Sequence, residues 1–225
     1  MGRRKGLDRF MGLKEQIHII PVTDALREPG ACPFCVMRKK LDADAVAFML
    51  SPSYMEDDIR KATNNTGFCA AHTRRLYDGG NRLGLALMLH TRLLKLISDV
   101  DCGRREKMPG GCVICGNVNE TMRRYTETFF YLWESGGEER QLIEKLDGFC
   151  VEHYAMLTAA AQTCLGKQKK AEFEKTAREI QKAAMERIAD DLDWFIKKFD
   201  YRYADEPWKN AKDALPRVIG MLAHD

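Results

Sequence analysis

The sequence predicts an all-α protein. Three observations lead there. In the apolar stretches, hydrophobic residues recur at steps of three, four and seven, the period of a helix with one buried face. No segment alternates apolar and polar residues as a half-buried strand does. Gly, Pro and Asn gather in short clusters that cut the periodic stretches into helix-sized pieces. With 225 residues, 45% of them hydrophobic, the chain can bury a core.

The elements follow in order. Residues 1–15 read as a basic solvated tail around Arg3, Arg4 and Lys5. No apolar stretch follows them, so they are not a secretory signal, and Met11 is a second candidate start. Residues 16–100 form a first helical repeat. It holds Cys32-Pro33-Phe34-Cys35, then Val36 to Leu50, rich in helix formers and stopped by Ser51-Pro52. Ser53 and Glu56 have the spacing of a capping box for a second, short helix, which Asn64-Asn65-Thr66-Gly67 ends. Another helix starts after Gly67-Phe68-Cys69-Ala70-Ala71-His72. Asn81 to Val100 is apolar around most of its circumference and is expected to be the buried helix, with His90 a core histidine.

Residues 101–111, DCGRREKMPGG, read as a linker. The second repeat, 112–166, opens with Cys112-Val113-Ile114-Cys115. Asn117 to Glu134 is helical, Gly136-Gly137 breaks it, and Glu138 to Leu146 resumes before Gly148-Phe149-Cys150-Val151-Glu152-His153. Residues 167–225 hold one long helix, Gln168 to about Phe199, striped by Phe173, Ile180, Ala184, Ile188, Leu192, Phe195 and Phe199. A short last helix is expected to dock through Leu215, Val218, Ile219 and Leu222, the whole region packing on the repeats as one domain.

The duplication carries the chemistry. CxxC recurs 80 residues on and GFCxxH 81 residues on, so the chain holds two copies of one unit. Cys and His three apart at the start of a helix face the same way, and a CxxC hairpin brings two sulfurs together. Joined, they make the Cys₃His set of a structural zinc site. The helix N-terminus favours the thiolate, Gly67 and Gly148 permit a sharp turn, and Phe68 and Phe149 are expected to pack beneath the sulfurs. Buried free cysteines and surface histidines could explain one such cluster. They do not explain the same four ligand types at matched spacing twice.

The candidate ligands are Cys32, Cys35, Cys69, His72, Cys112, Cys115, Cys150 and His153. Loop entropy favours sharing within a copy: Cys32, Cys35, Cys69 and His72 on one ion, Cys112, Cys115, Cys150 and His153 on another. An exchanged arrangement, each CxxC serving the other copy, costs only about 1 kcal/mol more. Two structural zinc ions are expected. An iron–sulfur cluster is the alternative, though most such clusters want four cysteines. Four protein ligands close a site, which argues against catalysis at the metal.

Other motifs are weaker. CPFC resembles a thiol-redox string, but that chemistry normally sits where a strand meets a helix, and CVIC lacks the proline. Cys102 and Cys164 have no counterpart in the repeat. A net charge of +3, dispersed along the chain, does not mark a nucleic-acid binder, and the basic doublets Arg38-Lys39-Lys40, Arg74-Arg75 and Arg123-Arg124 lie near acids. No run of about 18 apolar residues marks a membrane span. No phosphate loop, dinucleotide fingerprint or nucleophile elbow is present. Near the C-terminus Trp194, Tyr201, Arg202, Tyr203 and Trp208 cluster. They suit either a tail wrapping back, with Tyr201 and Trp208 filling core gaps, or a surface for a protein or small-molecule partner.

The duplicated CPxC and GFCxxH motifs, Ile20 to Leu26 (IPVTDAL) and the ending WFIKKFDYR…DEPW…KDALPR resemble a bacterial family classed only as a domain of unknown function. The resemblance spans roughly Met11 to Leu222 and matches all eight Cys and His positions. It implies a bacterial cytosolic protein, and eight cysteines without an export signal agree with a reducing cytoplasm. It implies no activity. The residues themselves point to a non-catalytic binding or scaffold module with two zinc sites, the alternatives being a thiol- or metal-dependent redox protein and a nucleic-acid-binding module.

Overall fold

The computed structural model describes residues 17–30, 32–103 and 111–223. The basic tail, Met11 and most of the linker therefore lie outside the described residues. Ten α-helices and no strand occur among those described: α1 (Ile19–Arg27), α2 (Pro33–Leu50), α3 (Asp57–Thr66), α4 (Ala70–Asp78), α5 (Arg82–Asp101), α6 (Val113–Ser135), α7 (Glu138–Glu144), α8 (Val151–Cys164), α9 (Lys167–Lys197) and α10 (Ala214–Leu222). The all-α class is as the sequence predicts.

Local chemistry explains most boundaries. Pro33 and Val113 occupy the first positions of α2 and α6, so each helix starts inside its CxxC motif rather than after a hairpin. The capping box at Ser53 does not form. Ser51 instead caps a 3₁₀ turn, Pro52–Met55, through an Ser53 N–H to Ser51 Oγ bond of 3.3 Å, and α3 starts behind Glu56 with no side-chain cap. Gly136, at φ +70°, divides α6 from α7.

The chain divides into two compact units whose boundaries fall inside α2 and α6. Of the described residues, one unit comprises those up to 37 and from 124 onward, the other those between 38 and 123. In the first, Phe34, Phe129, Phe130, Trp133, Phe149 and Phe173 are each at most 2% exposed. Their rings meet edge to face: Phe34–Phe129 at 5.3 Å, Phe130–Phe173 at 5.1 Å and Trp133–Phe173 at 5.4 Å between centroids. In the 38–123 unit the buried apolar side chains are aliphatic or sulfur-bearing: Val46, Met49, Leu76, Leu85, Met88, Ile114, Val118 and Met122, with Cys112.

Three expectations about faces are corrected. Helix α5 buries Leu85, Met88 and Arg92 on one side only, while Leu83, Leu93, Leu94, Ile97 and Val100 are exposed and His90 lies on the surface. Its apolar circumference exceeds what α3, α4 and the 3₁₀ turn can cover. Leu215, Ile219 and Leu222 of α10 also face solvent; α10 packs against α9 and α8 through its other side, around Ala214. Tyr201 is 88% exposed and fills no gap, whereas Trp208 is half-buried against Phe195, with ring centroids 5.9 Å apart.

Candidate metal centres

All four Cys/His motifs turn out to be one device. The first cysteine sits just before a helix and the second ligand three residues on, within the first turn. Cys69 and Cys150 are the N-caps of α4 and α8. Cys32 and Cys112 accept the first helical bonds, from Val36 N–H at 3.1 Å and Gly116 N–H at 2.9 Å. Each motif thus points two donor atoms out of a helix N-terminus, where the helix dipole favours negative sulfur. Gly67 and Gly148 have φ of +76° and +135°, a region closed to most side chains, and let the chain turn into the cysteine.

The structure overturns the within-copy partition. Cys32 and Cys35 meet Cys150 and His153, and Cys69 and His72 meet Cys112 and Cys115. Each CxxC serves the GFCxxH of the other copy, so the pairings are nested. The inner centre lies wholly in the 38–123 unit and the outer centre wholly in the other. Loop entropy fails as a guide because its preference was only about 1 kcal/mol, and the inner centre spans a gap hardly longer than a within-copy loop. None of the eight cysteines forms a disulfide; Cys102 and Cys164 join neither group.

Within each group the donor atoms lie within 4.8 Å of one another. In the outer centre Nδ1 of His153 is 3.1 Å from Cys150 Sγ, 3.4 Å from Cys35 Sγ and 3.6 Å from Cys32 Sγ, and Cys35 and Cys150 are 3.6 Å apart. In the inner centre Nδ1 of His72 is 3.1 Å from Cys69 Sγ and 3.4 Å from both Cys112 and Cys115, and Cys69 and Cys115 are 3.9 Å apart. Both sets could hold a metal ion.

Crowding of thiols redistributes their protons. Burial pushes the Cys69 thiol up, but hydrogen bonds from His72, Cys115 and Cys112 outweigh it and bring it down to about 7. Cys115, half-buried, is pushed up to about 12 by desolvation and by its bond to Cys112. In the outer centre hydrogen bonds from Cys32 and Cys35 hold Cys150 far below the usual thiol range, and Cys35, facing Cys150 and Cys32, is held far above it. Burial lowers His153, yet its bonds to the Cys150 and Cys32 sulfurs raise it to about 9. Metal binding would displace the protons that the thiols still carry.

The supports differ. In the inner centre His72 Nε2 is 2.6 Å from Asp42 Oδ1, whose other oxygen pairs with Arg75. This fixes Nδ1 as the nitrogen turned toward the sulfurs. Val113 N–H donates to Gly67 C=O at 3.0 Å, tying the two motifs together. Pro33 stands where Val113 does and has no N–H to give. The outer centre is held instead by Gln181 of α9, which accepts from Phe149 N–H and donates to Phe149 C=O, both at 3.0 Å. Phe34 lies against the His153 ring at 5.6 Å, and Phe149 is buried under the site. Phe68, its inner counterpart, stays half-exposed. Cys32, Cys35 and Cys150 also border a cleft of about 600 Å³, lined further by Phe149, Arg187 and Arg217.

Asp42 and Gln181 are the supporting residues that motif reading misses. Asp42 lies two helical turns beyond Cys35 on one helix. Gln181 interrupts the buried series Phe173, Ala177, Ala184 at core spacing. A polar residue at such a position is the available signal.

Two stretches of the chain, residues 13–111 and 101–225, match the model of a family of unknown function (DUF6062). No curated protein and no solved structure matches the chain.

Proposed function

Since the chain belongs to the family of unknown function DUF6062, its role rests on its own residues, and we propose that it is a zinc-stabilised, non-catalytic binding module of the bacterial cytoplasm. Two structural Cys₃His zinc ions would each join two helix N-termini and hold the helices that present a surface to a partner. One observation carries this reading. An ion with Zn–S near ~2.3 Å and Zn–N near ~2.0 Å in a regular tetrahedron sets S···S edges near ~3.8 Å and S···N edges near ~3.5 Å. The separations of 3.6 and 3.9 Å between sulfurs, and of 3.1–3.6 Å between sulfur and nitrogen, lie close to those edges in both centres. Four protein donors leave no open position for a substrate, and among the described residues no helix is long and apolar enough to cross a membrane.

The aromatic C-terminal segment is a candidate partner surface. Trp194 and Tyr203 meet edge to face at 5.9 Å, Lys209 lies over Trp194, and Tyr201 and Arg202 are exposed beside them. Elemental analysis of natively purified protein tests the metal reading: about two zinc ions per chain and no colour are expected. Metal-free folded protein, or iron with visible absorbance, would overturn it. The cleft beside Cys32 and Cys35 favours one second reading, thiol chemistry at the outer centre. That reading requires dithiol turnover by the metal-free chain.

A further inference from the structure

The cleft beside the outer centre lies wholly in the unit outside 38–123. The outer centre forms its floor, and Arg187 and Ile188 of α9 one wall. The facing wall is α10 with its N-cap: Asp213, Pro216, Arg217, Gly220 and Met221 recur at steps of three and one, a single helix face. The exposed Leu215, Ile219 and Leu222 lie on the opposite side of that helix. At about 600 Å³, with Phe149, Ile188, Pro216 and Met221 among its lining, the cleft has the size and the apolar walls of a small-molecule site. Gly220 keeps it open. This residue lies inside α10 and is not at positive φ. Apart from its chain neighbours and the helix's own backbone, no atom lies within 4 Å of where a Cβ would stand. Neither backbone strain nor crowding calls for glycine there, although glycine weakens a helix. What the missing side chain leaves is space.

The polar end is equally defined. A second hollow, of about 460 Å³, shares Arg187, Asp213 and Arg217 with the cleft and adds Asp191, Lys209, Asn210 and Lys212. Its lining sets four cations against two carboxylates. Asp191 and Asp213 hold Arg217, each at 3.0 Å, and Arg187 turns back to the Asp147 carbonyl at 2.7 Å. Neither Lys209 nor Lys212 has a carboxylate partner among the described residues, so the surplus positive charge is theirs. The Lys209 ammonium stands over the Trp194 ring at 3.8 Å. We propose that the cleft binds one small amphiphilic carboxylate, its apolar body beside Phe149, Ile188, Pro216 and Met221 and its head toward Lys209 and Lys212. The orientation rests on the zinc reading in one respect: three thiolates around a dication carry net negative charge, which turns an anionic head away from the floor and toward the lysines. The surplus is small and suits a singly charged head.

The test is calorimetric titration of the full chain with decanoate, with zinc content measured on the same sample. One decanoate per chain is expected, with Kd at or below about 100 µM and weakening as salt rises. Decylammonium, with the same tail and the opposite charge, should bind at least about tenfold more weakly. Gly220→Trp fills the cleft and should weaken decanoate at least about tenfold, with two zinc ions and the helix content unchanged. Gly220→Ala adds one methyl and should leave binding as it was. Lys212→Glu should weaken decanoate about threefold and narrow its advantage over decylammonium. A zinc-replete chain with no saturable decanoate binding below about 1 mM overturns the proposal, as does equal affinity for decylammonium or indifference to Gly220→Trp. Tighter binding of decyl phosphate than of decanoate overturns the choice of a carboxylate head. Decanoate bound by a folded chain without zinc would sink the metal reading and leave the cleft as a binding site.

Discussion

The inner and outer centres use the same ligand types at the same spacing, and they are supported in opposite ways. The inner one leans on charge: Asp42 holds His72, and Arg75 holds Asp42. The outer one leans on packing: Phe34 covers His153, Phe149 lies beneath, and a buried glutamine clamps the backbone. One position explains part of the divergence. Val113 can donate its N–H to the opposing glycine and Pro33 cannot, so the outer knuckle needs a clamp from another helix. Duplicated motifs thus specify which atoms converge, while unduplicated surroundings specify how firmly.

That contrast can be broken most severely by removing a ligand. Cys150→Ser or Cys69→Ser should each reduce zinc from two ions to one and remove much of the ~10 kcal/mol that such a site contributes to folding. Hydrogen exchange should show the loss confined to the unit that holds the altered centre; equal loss in both units would contradict their independence. Next comes the pair of glycines. Gly148→Ala places a methyl 2.6 Å from the Cβ of Ala184 on a backbone at φ +135° and should cost about 3 kcal/mol. Gly67→Ala has its nearest neighbour, Arg92 Nε, at 3.7 Å and should cost about 1 kcal/mol. Urea titration measures both, and a reversed order would undo the account of the outer knuckle.

Gln181→Leu removes both bonds to Phe149 and leaves a buried N–H and C=O unpaired, a loss of about 2–3 kcal/mol by the same titration. It should leave zinc affinity at the inner centre alone. Asp42→Asn does the converse. It should weaken zinc at the inner centre about 10–100-fold, read by competition with a chromogenic chelator, and leave the outer centre unchanged. If Asp42→Asn changes neither affinity, the carboxylate serves Arg75 rather than the imidazole.

The helices and the eight converging residues are legible in the sequence because their signals are local. A three-residue spacing behind a glycine is visible without knowing the fold, and so is the period of α9. Which motif meets which is not local. It depends on contacts between residues more than a hundred positions apart, and no loop length between Cys35 and Cys150 encodes that. The faces of α5 and α10 fail for a related reason. Leu93 or Ile219 marks a helix side as apolar, but only packing decides whether that side is covered by this chain. Asp42 and Gln181 escape notice because each acts across tens of residues on a group that its own neighbours do not reveal.

Nesting also sets a timetable for a chain that leaves the ribosome N-terminus first. Cys32 and Cys35 emerge long before Cys150 and His153, and the first partners they meet are Cys69 and His72. At roughly 5–20 residues per second, some seconds pass before Cys112 and Cys115 arrive to claim that pair. An ion captured early would be held by mismatched motifs, and it would have to change hands for both centres to pair as the structure pairs them.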